Sequence, residues 1–149
     1  SNPNGSIAVL ACNVSGCIAC PNAGSVVNLG GGAGPIISTD SNGNVGVPVQ
    51  WTVLGATPST PFGLFAISSD APVPLPLSLL WPACTSTAHA NNPLLLGASV
   101  DALGSTSLTV PIPPNNSLCG IPLTAQYVEI TLQACPLLLG DAMTITLGN

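Results

Sequence analysis

Apolar and polar residues alternate with a period of two along much of the chain, and this pattern predicts β-strands. Residues 123–135 give the clearest case, because aliphatic side chains point to one face and mostly polar ones to the other. The two faces carry Val128, Ile130 and Leu132 on one side and Tyr127, Glu129, Thr131 and Gln133 on the other. This period is typical of a half-buried strand and not of an amphipathic helix.

Gly and Pro, sixteen of each, punctuate the whole chain and leave few windows long enough for a helix. Between them lie further strand candidates at residues 7–11, 25–29, 36–39, 45–54, 63–68, 75–81, 94–100, 105–112 and 143–147. About ten short strands separated by turn residues predict an all-β fold, an antiparallel β-sandwich of the Ig-like or jelly-roll-like kind. The length fits a single domain that spans residues 1–149.

Two stretches of the chain share a skeleton of strand, Asp-x-x-Gly turn and alternating strand. The first contains Asp40 and Gly43, and the second contains Asp101 and Gly104. An Asp side chain can cap such a turn, and Gly supplies the positive φ that the turn requires. Each copy is therefore predicted to be a hairpin connection.

The first of these turns is also a candidate calcium loop, since Asp40, Asn42 and Asn44 offer oxygen ligands at alternating positions. Val45 stands where an EF-hand loop requires Gly, and Trp51 stands where it requires the distal Glu. The pattern favours a plain turn over a metal site, and we predict no cofactor.

The chain has no lysine or arginine, and its only charged side chains are five carboxylates. A typical soluble domain carries about a quarter charged residues of both signs. Without cations, the chain has no electrostatic surface for nucleic acid or for anionic membranes. Its apolar runs are far shorter than the ~20 residues that a transmembrane helix needs, so we expect no membrane insertion.

The chain contains six cysteines: Cys12, Cys17, Cys20, Cys84, Cys119 and Cys135. An even number of cysteines in a chain without ion pairs predicts disulfides and an oxidising compartment, although the connectivity stays open. The chain begins at Ser1 without a basic and apolar leader. We therefore expect a mature extracellular or cell-surface protein from which a signal peptide has been removed.

Two metal-binding alternatives use the spacing of the first three cysteines. The pattern Cys12-x4-Cys17-x2-Cys20 matches the loop of a plant-type two-iron ferredoxin, with a later cysteine as the fourth ligand. A zinc site formed by these three cysteines with His89 also has compatible spacing. Ferredoxin-type helices and basic residues are both missing from the sequence, and this favours disulfides over either metal site.

A series of short, turn-rich motifs follows from about residue 63 onward. They are Phe65-Ala66-Ile67, Pro74-Leu75-Pro76-Leu77, Asp101-x-x-Gly104, Leu108-Thr109-Val110-Pro111-Ile112-Pro113, Leu118-Cys119-Gly120-Ile121-Pro122-Leu123 and Ala125-Gln126-Tyr127. Residues 63–149 resemble a short module common in secreted and cell-surface proteins of Planctomycetota and myxobacteria. The resemblance implies an extracellular β-sandwich with no catalytic residues to carry over. Residues 1–30 are cysteine-rich and depart from that module, and they are a candidate for a strand that is exchanged between copies or docked on a partner.

No catalytic constellation stands out in the sequence. The single histidine, His89, lies in a polar loop, no Gly-x-Ser-x-Gly motif occurs, and the acidic residues are scattered. We therefore expect that the protein is not an enzyme.

The missing lysines also bear on function, because β-proteins commonly use lysine to protect their sheet edges from other chains. Weakly protected edges and a high apolar content favour self-association into a homo-oligomer or polymer. We predict a protease-resistant structural subunit of an extracellular assembly, such as a filament, a pilus-like fibre or a surface layer. The alternative is a secreted binding module for polysaccharide or a cell-surface partner, with Trp51, Trp81 and Tyr127 as an exposed planar set.

Overall fold

The computed structural model of the chain describes residues 23–148. These residues form the strands β1 (Ser25–Gly30), β2 (Ile36–Thr39), β3 (Val49–Leu54), β4 (Gly63–Ser68), β5 (Leu75–Pro76), β6 (Thr87–Ala88), β7 (Leu94–Gly97), β8 (Thr106–Val110), β9 (Pro122–Ile130) and β10 (Leu137–Thr146). Single turns of 3₁₀-helix lie at Leu77–Leu79 and Asn116–Leu118. Within the described part of the chain, no helix approaches the length and apolarity that a membrane span requires.

The strands form two main antiparallel sheets that pack against each other. The larger sheet has the order β1-β10-β9-β4-β7, and the smaller one has the order β2-β3-β8. Strands β5 and β6 form a separate two-stranded ribbon. The antiparallel β-sandwich predicted from the sequence is confirmed.

The main core lies between the two sheets. From the smaller sheet, β3 contributes Val49, Trp51 and Val53, which alternate along the strand and are fully buried. From the larger sheet, Phe65 and Tyr127 meet edge to face with ring centroids 6.0 Å apart. Large aromatic side chains bury the most apolar area for each residue, so these three rings account for much of the contact between the sheets.

The alternation predicted within residues 123–135 is present in β9, but the buried face is the one that carries Tyr127 and Glu129. These two side chains point into the space between the sheets. Val128 and Ile130 point to the outer face of the larger sheet, where Val128 is partly buried and Ile130 is exposed. A period of two separates the faces of a strand, but it does not state which face meets the neighbouring sheet.

Residues 75–88, here called the flap, cover part of the outer face of the larger sheet. The flap comprises β5, the first 3₁₀ turn and β6. Two of its residues, Leu77 and Cys84, pack against Leu139 of β10 in a second, smaller core. The outer face of the sheet is therefore partly covered, which explains why it tolerates apolar residues.

Several strand boundaries differ from the sequence-based ones. Of the predicted strand at residues 75–81, only Leu75–Pro76 is extended, because the chain turns into a 3₁₀ helix at Leu77–Leu79. β3 begins at Val49 rather than at residue 45, since Gly46 has a φ of +82° in the preceding turn. β9 ends at Ile130, well before residue 135.

β10 is the strand that differs most from its prediction, since it begins at Leu137 rather than at residue 143. The pairing of β10 with β9 shifts between Leu139 and Ala142, which marks a β-bulge around Gly140. The bulge lets the strand continue through a glycine that reads as a boundary in the sequence. The predicted strand at residues 7–11 lies outside the described residues.

The second Asp-x-x-Gly turn forms as predicted, but it is not a hairpin connection. Asp101 Oδ1 accepts hydrogen bonds from Leu103 N (2.8 Å) and Ser105 N (2.9 Å), and Gly104 has a φ of +78°. The strands on either side, β7 and β8, belong to different sheets. Side-chain capping specifies the turn locally, whereas the pairing of its flanking strands depends on contacts elsewhere in the fold.

One disulfide, between Cys84 and Cys135, joins the flap to the loop between β9 and β10, with a Cα–Cα distance of 4.9 Å. Cys119 is disulfide-bonded as well. The prediction of disulfides is thus confirmed for the three cysteines of residues 23–148, and none of these three can serve as the thiolate ligand of an iron cluster. Cys12, Cys17 and Cys20 lie outside the described residues.

Candidate functional site

β7 lies at an edge of the larger sheet, and among the described strands it pairs with β4 alone. Its first two residues, Leu94 and Leu95, are 64% and 56% exposed. An edge strand presents unpaired N–H and C=O groups with which another chain can pair. The combination of an open backbone edge and exposed leucines makes β7 a candidate interaction surface.

The hydrogen-bond register shows which backbone groups of this edge point outward. Ala98 N donates to Gly63 O at 2.9 Å, which marks these two residues as a hydrogen-bonded pair. Such pairs recur at every second position of an antiparallel ladder, so Leu96 also bonds to β4. The N–H and C=O groups of Leu95 and Gly97 consequently point away from β4.

An apolar groove of about 270 Å³ lies beside β7 on the outer face of the larger sheet. Leu64 and Val128 form part of its floor, Leu77 and Ala88 of the flap form one side, and Leu95 of β7 forms the other. The groove therefore continues directly into the exposed edge strand. Apolar grooves of this size on a protein surface commonly mark sites of interaction.

The side chain of Gln126 holds the flap against the sheet and is only 1% exposed. Its Nε2 donates to Thr87 O at 3.0 Å and to Gly140 O at 2.9 Å, and its Oε1 accepts from His89 N at 3.0 Å. One side-chain amide thus bonds to the end of the flap and to the bulge of β10. These three hydrogen bonds fix the position of the groove wall that the flap provides.

A polar cleft of about 390 Å³ lies beside the Cys84–Cys135 disulfide and contains the carboxylate of Glu129. Glu129 is 3% exposed, and its Oε2 accepts from the Tyr127 hydroxyl at 2.8 Å and from Thr57 N at 3.1 Å. Gly63 makes room for that hydroxyl, since a Cβ at this position would lie 2.5 Å from it. The chain has no lysine or arginine to pair with Glu129, so hydrogen bonds hold this carboxylate in place.

Burial raises the pKa of Tyr127 well above its usual value near 10, and the hydrogen bond and negative charge of Glu129 raise it further. The tyrosine in the unfolded chain ionises near pH 10, whereas the folded protein keeps the phenol neutral. The free energy of unfolding is therefore expected to fall as pH rises above 10. Because the chain has one tyrosine, its absorbance at 295 nm reports this group directly.

We expect the absorbance change to coincide with unfolding monitored by circular dichroism and to occur well above pH 10. In the variant Glu129→Gln, the tyrosine should ionise at a lower pH than in the parent protein, because the negative charge is gone. A reversible titration of the folded parent protein near pH 10 would show that the phenol is not held as described.

His89 directly follows the flap and packs over Gly31. A Cβ at Gly31 would come within 2.6 Å of His89 Cε1. Burial lowers the pKa of His89, and the nearby carbonyl of Thr87 offsets part of this effect. Nδ1 is buried without a hydrogen-bond partner, and residues 23–148 contain no cluster of three or more His, Cys, Asp or Glu side chains. The contacts of His89 are thus those of a packing residue.

The calcium candidates lie in the connection between β2 and β3, which form the predicted hairpin. Asn42 Oδ1 accepts from Asn44 N at 3.3 Å, and Ser41 Oγ accepts from Gly43 N at 3.1 Å. Gly43 has the predicted positive φ, +83°. The capping role predicted for Asp40 is instead filled by its neighbours, and the Asp40 side chain is exposed. Side-chain oxygens of this segment thus bond to its own backbone.

The aromatic residues do not form the exposed planar set that the binding-module alternative requires. Trp51 and Tyr127 are fully buried between the sheets, and Trp81 is half-buried against the second core. Trp51 and Tyr127 are thus residues of the main core.

The residues that build the groove escaped the sequence analysis, although one signal for them exists. Gln126 falls on the same face of β9 as Val128 and Ile130, so it is a polar residue in an aliphatic series. A buried polar side chain in such a series commonly satisfies backbone groups nearby. The exposed edge of β7 has no local signal, because the order of the strands in the sheet decides which one is last.

The candidate site thus comprises the edge of β7, the groove beside it and the three hydrogen bonds by which Gln126 holds the flap. The cleft at Glu129 is a separate feature near the disulfide. Comparison of the chain with protein-family models, with curated proteins and with solved structures finds no match.

Proposed function

We propose that this protein is a structural subunit of an extracellular assembly, such as a filament, a pilus-like fibre or a surface layer, built by self-association of β-sandwich subunits. The observation that supports this function most directly is the exposed edge of β7, which borders an apolar groove. Strand addition at such an edge supplies main-chain hydrogen bonds, and an adjoining groove supplies apolar contact.

The distribution of charge supports the same proposal. None of the five carboxylates lies on β7 or lines the groove, and the chain has no lysine or arginine. Proteins that remain monomeric commonly place a charged residue or a proline on such an edge. The edge of β7 therefore has no charge that would repel a second copy.

The covalent structure supports the proposed location outside the cell. The Cys84–Cys135 bond and the disulfide at Cys119 require an oxidising environment to persist. A chain without lysine or arginine also offers no cleavage site to proteases of the trypsin type. Both properties suit a durable structural component that is exposed to secreted proteases.

Sedimentation of the oxidised full-length chain over a range of concentrations tests this function, together with electron microscopy of the same samples. We expect the sedimentation coefficient to grow with concentration and ordered polymers to be visible. The variant Leu95→Lys places a charge at the groove and should raise the concentration required for assembly by about tenfold or more.

The matched control is Leu103→Lys, because Leu103 is 88% exposed in the turn between the sheets. This variant adds the same charge away from β7 and should assemble as the parent protein does. A parent protein that stays monomeric at every concentration would rule the proposed function out.

A further inference from the structure

We infer that the strand that pairs with β7 is residues 7–11 of a second copy of the chain. This inference rests on the proposed self-association and names the segment that carries it. Residues 7–11 read Ile-Ala-Val-Leu-Ala and contain no charge, proline or glycine. They belong to the part of the chain that precedes the described residues.

The length and chemistry of this run match the edge that it would join. β7 spans the four residues Leu94–Gly97, and residues 7–11 offer one apolar strand of about that length. β-branched and aliphatic residues are well suited to a sheet that is buried on one or both faces. Asn4, Gly5 and Ser6 precede the run and provide a polar boundary.

The groups presented by β7 suit an added strand. The outward N–H and C=O groups of Leu95 and Gly97 would pair with the donated backbone. Side chains that alternate along the donated strand would extend the layer of Leu96 on one face and meet Leu95 at the groove on the other. Gly97 leaves open space at this edge, since a Cβ built there has no atom within 4 Å.

The position of β1 sets the donor and the acceptor at opposite edges of the larger sheet. The described chain enters the larger sheet at β1, which lies at the edge opposite to β7. Neighbouring strands are about 4.8 Å apart, so these two edges are separated by roughly 19 Å. The donated segment precedes β1 in the chain, and the acceptor is β7 at the opposite edge. Each copy would therefore contact the next one head to tail. A head-to-tail contact produces an open filament when the rotation between successive copies does not close, and a ring when it does.

Mixing two variants that each lose one half of the contact provides the sharpest test. Val9→Asp places a charge in the middle of the donated run. Leu95→Pro removes an N–H that points away from β4, so it leaves the bonds between β4 and β7 intact. Each variant alone should fail to polymerise. Their mixture should form a one-to-one pair and nothing larger, because one intact donor and one intact acceptor remain.

Mass photometry of the oxidised full-length chains measures these species directly. Val14→Asp is the control for the donor, since it adds the same charge outside the run and should leave polymerisation unchanged. Gly97→Asp is a second acceptor variant, in case proline at position 95 prevents folding, and it should give the same one-to-one pair with Val9→Asp.

The results separate the inference from the proposed function. If the parent protein polymerises and Val9→Asp polymerises equally well, residues 7–11 are not the donor, although the subunit function stands. If the folded variants do not form a pair when mixed, the donor and acceptor are not complementary, and the inference is wrong. If the parent protein never associates, the proposed function fails together with the inference.

Discussion

Replacing Cys84 and Cys135 together by alanine is expected to lower the free energy of unfolding by about 4 kcal/mol at 25 °C. The two residues are 51 positions apart in the chain, so their bond removes a large amount of loop entropy from the unfolded state. Urea denaturation of the oxidised parent protein and variant measures this difference, with the midpoint and the slope fitted separately.

Hydrogen exchange locates the effect within the fold. The amides of Leu77 and Cys84, which bond to Ser86 O and Trp81 O, should lose more protection than the amides of β3 in the variant. A change in stability below about 1 kcal/mol would contradict the role assigned to this disulfide.

Gln126→Leu is expected to destabilise the protein by about 3 kcal/mol, although leucine is the more apolar residue. The substitution leaves Thr87 O, Gly140 O and His89 N without the partner that they have in the parent protein. A buried group that loses its partner costs about 1–3 kcal/mol. The bond to Gly140 O is buried, and the two part-buried bonds to Thr87 O and His89 N add smaller losses. Thermal or urea unfolding measures the loss, and hydrogen exchange at residues 87–89 should report a loosened flap.

Gln50→Leu is the matched control, since Gln50 lies on β3 with its side chain exposed to solvent. The same chemical change at this position should alter stability by less than about 0.5 kcal/mol. If both variants lose the same stability, the effect comes from replacing a glutamine by leucine and not from the loss of the three hydrogen bonds of Gln126.

These two attachments also connect the stability of the flap to the proposed function. The flap supplies one wall of the groove, and the disulfide and Gln126 hold it at different points. Loosening the flap should therefore weaken assembly as well as folding. If the Gln126→Leu variant has a loosened flap and still assembles as the parent protein does, β7 alone is sufficient for the contact.

Much of the fold could be predicted because its determinants are local. β2 and β4 have the bounds that the sequence analysis assigned, since each is a short apolar segment between turn residues. Predictions failed where a distant contact overrides a local signal. The glycine at position 140 reads as a break, yet pairing with β9 carries β10 through it as a bulge.

The candidate site was less accessible to sequence analysis than the fold. The missing lysines indicated poorly protected edges, but they did not identify which strand is exposed. Leu94 and Leu95 are apolar residues of a predicted strand, and they are exposed because β7 is the last described strand on its side of the sheet.

The sequence by itself determined the period of two, the spacing of the turns and the presence of disulfides, since each depends on residue type and on near neighbours. The tertiary structure decided which face of β9 is buried, that the turn at Asp101 connects the two sheets, and that Gln126 holds the flap through hydrogen bonds. It also placed β7 at an edge beside an apolar groove. These features depend on strand order and on contacts between residues far apart in the chain, and no local pattern encodes them.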